Sequence, residues 1–150
     1  MIKSLTRLDS ISPELADSFR RATDRQRRNA AFAACAVAVK RAGLAGEVIE
    51  EAFSILRNEG RDSESTYREL SSMAALFDEE YFKLRGSDDH SISPEALSLF
   101  RKARAASALA LALHSEGELL HESIYEAAIA SNDRDETLLW AAKALGNTPT

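Results

Sequence analysis

Apolar residues in this chain recur at helical rather than strand spacing. From Tyr67 onward, Leu70, Ala74, Phe77, Tyr81 and Leu84 alternate steps of three and four, the strongest period in the sequence, and they predict a helix from about Glu64 to Leu84. Met73, Leu76 and Phe82 broaden the apolar side beyond one stripe, so this helix is expected at the centre of the fold, covered by several neighbours. Asp78, Glu79 and Glu80 fall on its polar side.

The same reading extends along the chain. Leu15, Phe19 and Ala22, then Phe32, Cys35, Val39 and Ala42, keep to one side of a helix from Pro13 to Ala42, closed by Gly43. Thr23-Asp24-Arg25-Gln26 also fits a capping box that would restart the helix at Thr23. A second helix is expected from about Glu47 to Asn58, with Val48, Ile49, Ala52, Phe53 and Leu56 inward. After the polar stretch Arg85-Gly86-Ser87-Asp88-Asp89-His90, three more are expected. The first runs from Pro94 to about Ser115, inward through Leu97, Phe100, Ala103 and Leu111, and the next from about Glu118 to Ala130. The last starts at Asp133 and ends at Gly146, with Leu138, Leu139, Ala142 and Leu145 buried.

One motif occurs twice. Ser10-Ile11-Ser12-Pro13-Glu14 with Phe19-Arg20-Arg21-Ala22 returns as Ser91-Ile92-Ser93-Pro94-Glu95 with Phe100-Arg101-Lys102-Ala103. Each copy opens a helix, because a serine hydroxyl accepts from an orphan backbone N–H and proline at the first helical position loses no intrahelical bond. Phe19 to Gly43 exceeds Phe100 to Gly117 by seven positions, about two turns, so the first helix can be longer without rotating its apolar face, which favours an unbroken helix from 13 to 42. The expected architecture is all-α: about six helices in a single bundle-like domain over residues 1–150. Two similar three-helix units, 10–84 and 91–146, would be related by an approximate two-fold and share one core. Phe19 and Phe100 would then be equivalent buried residues.

Composition sharpens this picture. A chain of 150 residues with 45% hydrophobic residues, three prolines and six glycines suits long helices around a real core. The net charge of −5 disfavours nonspecific binding to nucleic acid or anionic lipid and suits a basic protein partner. The single cysteine, Cys35, lies in an Ala/Val run and is expected to be a buried thiol, consistent with a cytoplasmic setting. No run resembles a secretory signal or a membrane span.

Candidate chemistry is sparse. His114 and His121 with Glu118 and Glu122 resemble metal ligands in type, but the histidines stand seven apart with Gly117 between them, which favours a solvated helix corner over a metal site. The arginines from Arg20 to Arg28 lack interleaved aromatics and are expected to pair with Glu47, Glu50, Glu51 or the acids of the third helix rather than with phosphates. No catalytic pairing around Cys35, cofactor motif or Gly-rich phosphate loop is found. The acids Asp78, Glu79, Glu80, Asp88, Asp89, Glu116, Glu118 and Glu122, with Glu126, are the candidate surface for steering a basic partner.

The stretches Phe77-Asp78-Glu79-Glu80-Tyr81-Phe82-Lys83-Leu84, Phe100 to Arg104 and Ile124 to Ala127 resemble small all-helical immunity proteins of bacterial polymorphic or contact-dependent toxin systems. The resemblance covers the third helix and most of the second unit. It implies a cytoplasmic protein that binds and blocks one cognate toxin domain, often through an acidic surface against a basic nuclease. It transfers no residue-level site. The alternatives are a helical scaffold or adaptor without a toxin link, a small enzyme, or a nucleic-acid-binding protein.

Overall fold

The computed structural model describes residues 5–57, 63–85, 93–114 and 119–146. These form eight helices: α1 (Arg7–Ile11), α2 (Pro13–Arg21), α3 (Asp24–Ala42), α4 (Glu47–Arg57), α5 (Glu64–Arg85), α6 (Pro94–Leu113), α7 (Leu120–Ser131) and α8 (Arg134–Ala144). No strand occurs among the described residues. The centre is made by α3, α6 and α7. On this core α5 covers α6, α8 lies on α3 and α7, α4 touches α5 and α6, and α1 rests on α7.

Paired contacts fix the directions. Asp78 meets Arg104 and Tyr81 meets Phe100, so α5 and α6 are antiparallel. Ser123 meets Ala108 while Arg101 reaches Ala130, so α6 and α7 are antiparallel too. Cys35 meets Ser123, and Arg101 returns to Arg41, which sets α3 parallel to α7 and against α6.

Alanine makes the inner surface. Ala30, Ala31, Ala34 and Ala38 of α3, Ala103, Ala105, Ala106 and Ala108 of α6, and Ala127 and Ala130 of α7 are fully buried. Side chains this small allow helix axes to approach toward the short end of the roughly 8–10 Å range. Larger residues, Leu109, Leu113, Leu120 and Ile124, fill the space between these close contacts.

Several expectations are corrected here. The helix from 13 to 42 is broken. Ala22 and Thr23 are extended, and the Thr23 capping box forms: its hydroxyl accepts from the Gln26 N–H at 3.1 Å while the Gln26 side chain accepts from the Thr23 N–H at 2.9 Å. Arg27 completes the break by donating to the carbonyls of Phe19 (2.8 Å) and Arg20 (2.6 Å) at the end of α2. Both new helix ends are thus satisfied, so continuity loses its advantage. An additional helix, α1, precedes them, started by Asp9, whose carboxylate accepts from the Thr6 N–H and hydroxyl at 2.8 and 2.9 Å.

The two copies of the repeated motif begin alike and then diverge. Ser12 accepts from the Leu15 N–H and Ser93 from the Ala96 N–H, each with proline in the first turn. But α2 has nine residues and α6 has twenty, so the expected two-fold relation and the count of six helices are not confirmed. Phe19 is buried against His121 and under Arg27, whereas Phe100 is only partly buried, between Tyr81 and Arg104.

Nor is α5 the centre. Leu76 is 59% and Phe82 67% exposed, because α5 lies against α6 at the side of the bundle and alanine, not leucine or phenylalanine, marks the true centre. Leu84, Leu97 and Leu139, read as inward, are likewise exposed. Gly43 closes α3 as expected, in the left-handed conformation with φ +71°. The polar stretch 86–90 and the end of the expected second helix at Asn58 lie outside the described residues.

The unequal settings of the two phenylalanines have a measurable consequence. Phe19→Ala is expected to cost about 3–4 kcal/mol in denaturant melts and Phe100→Ala about 1–2 kcal/mol. Equal losses would contradict the packing described.

Candidate functional site

The acids singled out in the sequence separate into three groups. Asp88, Asp89, Glu116 and Glu118 lie outside the described residues. Asp78 and Glu122 are drawn into a charged seam across four helices, together with Glu126. Arg104 of α6 holds Asp78 of α5 at 2.7 Å and Glu126 of α7 at 3.3 Å. Arg7 of α1 reaches Glu126 at 3.2 Å and also pairs with Glu122, while its guanidinium lies 4.4 Å from the centre of the Tyr125 ring. The hydrogen bond from Arg7 to Glu122 is the main reason that the arginine holds its proton more tightly than usual. Glu126 is buried between these two arginines, which are its ion-pair partners. These carboxylates tie helices together and are not free for a partner.

Glu79 and Glu80 form the third group, exposed on α5. Glu79 makes a long pair with Lys83 at 3.9 Å. Glu80 stands where two concavities meet. One, of about 490 Å³, runs along α5 past Arg68, Glu69, Met73, Leu76 and Phe77. The other, of about 660 Å³, opens between the end of α5 and the start of α6, lined by Lys83, Leu84, Pro94, Glu95 and Leu99. Glu69, Met73, Leu76, Glu80 and Leu84 are spaced by three or four residues, so they form one stripe on the uncovered flank of α5. Phe82 lies six residues beyond Leu76, about one and two-thirds turns, and points to the opposite flank. There it touches Tyr81.

The arginines are structural in a way the sequence did not reveal. Arg20 binds Asp9 through two nitrogens, at 3.0 and 2.9 Å, and Asp17 at 2.6 Å. The hydrogen bond from Arg20, followed by that from the Thr6 N–H, holds the Asp9 carboxyl well below the ordinary carboxylate range. Arg27 caps α2, and Arg101 does the same for α7 by donating to Ala130 and Ser131 carbonyls at 3.0 and 3.2 Å. Arg41 joins α3 to Asp133 and Glu136 at the start of α8. Of the arginines from 20 to 28, Arg20 and Arg27 thus pair with Asp9, Asp17 and Asp24 and with the end of α2.

His114 packs edge-on against Tyr67 and His121 against Phe19, so the two imidazoles serve different aromatic contacts. No group of three metal-ligating side chains occurs among the described residues. Cys35 is fully buried, 3.4 Å from the Ser123 hydroxyl. That hydroxyl donates to the Ala108 carbonyl at 2.7 Å, which leaves the thiol as donor to the serine. Burial pushes the thiol up to about 12, the opposite of what a nucleophile needs.

The sequence missed the apolar flank of α5 as a surface, since its residues fit a covered helix equally well. It also missed Arg7 and Arg104, whose partners lie far away in the chain. No helix among the described residues is long and apolar enough to cross a membrane. No protein-family model matches the chain, and no curated protein or solved structure matches it.

Three outcomes are expected. Arg104→Met, which leaves the buried Glu126 with Arg7 alone, should cost about 2–4 kcal/mol, against less than about 1 kcal/mol for Asp78→Asn. Equal costs in chemical melts would show that the seam is not built on Glu126. Because the folded-state value of Asp9 is depressed, its contribution is present above the ordinary carboxylate range and is lost as the pH falls through the folded value. The stability gap between wild type and Asp9→Asn should therefore be full at neutral pH and narrow in strong acid; a gap that widens in acid would contradict the Arg20 pairing. Finally, Cys35 should resist an aromatic disulfide reagent in the native protein and react once denaturant opens the core, while immediate labelling of the native protein would contradict its burial.

Proposed function

We propose that this chain is a protein-binding domain acting as a stoichiometric blocker, of the immunity or antitoxin type, and that α5 carries its contact surface. The observation behind this reading is the uncovered flank of α5, where Leu76 and Leu84 remain in solvent beside Glu79 and Glu80 although the other side of the helix is packed on α6. Apolar side chains gathered in a concavity and edged by one sign of charge suit a partner that supplies the complementary surface. The blocker role rests on the resemblance to immunity proteins, whose stretch from Phe77 to Leu84 forms part of this face. The partner would then be a basic toxin domain met in the bacterial cytoplasm.

A scaffold without a toxin link is the second reading. It is favoured by another exposed apolar pair, Leu139 and Trp140 on α8, at 50% and 47% exposure. A blocker needs one face, whereas an adaptor uses two.

The two readings part in a growth assay in which the reading frame adjacent to this gene is expressed with or without the chain. Wild type is expected to restore growth, Trp140→Ala to restore it equally, and Leu76→Asp with Glu80→Lys to fail while keeping the wild-type melting temperature. An adjacent product that is harmless, or full rescue by the α5 variant, would contradict the proposal.

A further inference from the structure

The paired concavities on α5 have a shape and a charge that specify what lies in them. Their floor is apolar, made by Met73, Leu76 and Phe77 in one and by Leu84, Pro94 and Leu99 in the other. Their acids are Glu69, Glu80 and Glu95, which form no ion pair among the described residues. The two bases at the edge are already engaged: Arg68 pairs with Glu64 at 3.0 Å and Lys83 with Glu79. The groove therefore carries an uncompensated negative charge over an apolar floor.

Its length and walls narrow the occupant further. The stripe from Glu69 to Leu84 spans fifteen residue steps of α5, about 22 Å at 1.5 Å per residue. Its walls are helices whose interior backbone groups already bond within the helix, so an added strand would find no ladder to join. A helix brings its own hydrogen bonds and needs only a groove for its apolar face. A second copy of this chain placed groove to groove would set the acids of one groove, Glu69, Glu80 and Glu95, against those of the other, and an anionic lipid surface would be repelled in the same way.

We infer that the groove along α5 and the start of α6 receives a basic amphipathic helix of about four turns from a protein partner. Its apolar residues at i, i+3 or i+4, and i+7 lie on Met73, Leu76 and Leu84, and its flanking Lys or Arg residues meet Glu69, Glu80 and Glu95. This rests on the reading that α5 is the contact surface of a binding protein, and adds the chemical class and conformation of the segment it holds.

The test uses the full chain and a labelled helical peptide of about sixteen residues, with a leucine stripe and lysine flanks, beside a matched peptide with glutamate flanks. The lysine peptide is expected to bind, to shift backbone amide resonances only at 68–84 and 94–99, and to weaken as salt is raised. The triple variant Glu69→Lys, Glu80→Lys, Glu95→Lys should bind it at least about tenfold more weakly, whereas Phe82→Ala, on the other flank, should bind it as wild type does. The inference is overturned if the glutamate peptide binds as well, if the shifts fall elsewhere, or if the triple variant binds unchanged. It is equally overturned if the free chain sediments as a dimer that Leu76→Asp dissociates, which would make a second copy the occupant. Growth rescue that the triple variant loses, with no peptide binding to wild type, would end the helix inference and leave the binding reading standing. Peptide binding without any rescue would do the reverse.

Discussion

The structure depends on how closely α3, α6 and α7 can approach. Their facing surfaces are lined by alanines with no exposure to solvent, and a methyl group leaves backbones near one another where a leucine would hold them apart. Alanine is also the strongest helix former, so the residues that permit close contact also stabilise the helices making it. Close approach brings polar groups within reach across the interface. The Ser123 hydroxyl bonds the Ala108 carbonyl and accepts from the Cys35 thiol, so one small side chain links all three central helices.

From this centre outward, arginine does the joining that large apolar residues do in other bundles. Arg27 and Arg101 end helices by binding their last carbonyls, Arg20 and Arg41 fasten α1 and α8, and Arg7 and Arg104 share Glu126. The acidic surface suggested by composition is correspondingly smaller than the count of acids implies. Glu79 and Glu80 stay exposed on α5, the helix that the alanine core leaves at one side. The exposed apolar flank of α5 is therefore a by-product of the packing: its large apolar residues are not needed to build the centre.

Helix positions were legible in the sequence wherever a local signal fixed them. Ser12, Ser93, Asp133 and Gly43 mark the ends they were expected to mark. Faces were less legible. Along α6, alanine at 103, 105, 106, 108, 110 and 112 is apolar in every direction, so no period distinguishes the inner face, and attention passes to Leu97 and Phe100, which lie outside or at the edge of the core. The large residues of α5 misled for the complementary reason: a strong period shows that a helix has an apolar side, not how many neighbours cover it. Thr23 was a readable stop that the comparison of the two repeats outweighed, and local hydrogen bonding decided otherwise. Asp78 and Glu80, two residues apart, have different fates because Arg104 reaches only the first, a pairing across twenty-six residues that no local pattern carries.

The alanine constraint is tested most directly at Ala108, fully buried beside the Ser123 and Cys35 pair. Ala108→Leu places a butyl group where α6 and α7 are in contact, and overpacking of this kind costs about 1–3 kcal/mol. The expected result in denaturant melts is a loss in that range. Unchanged or increased stability would mean that the helices stand far enough apart to accept leucine, and that close approach through alanine is not what holds this fold together.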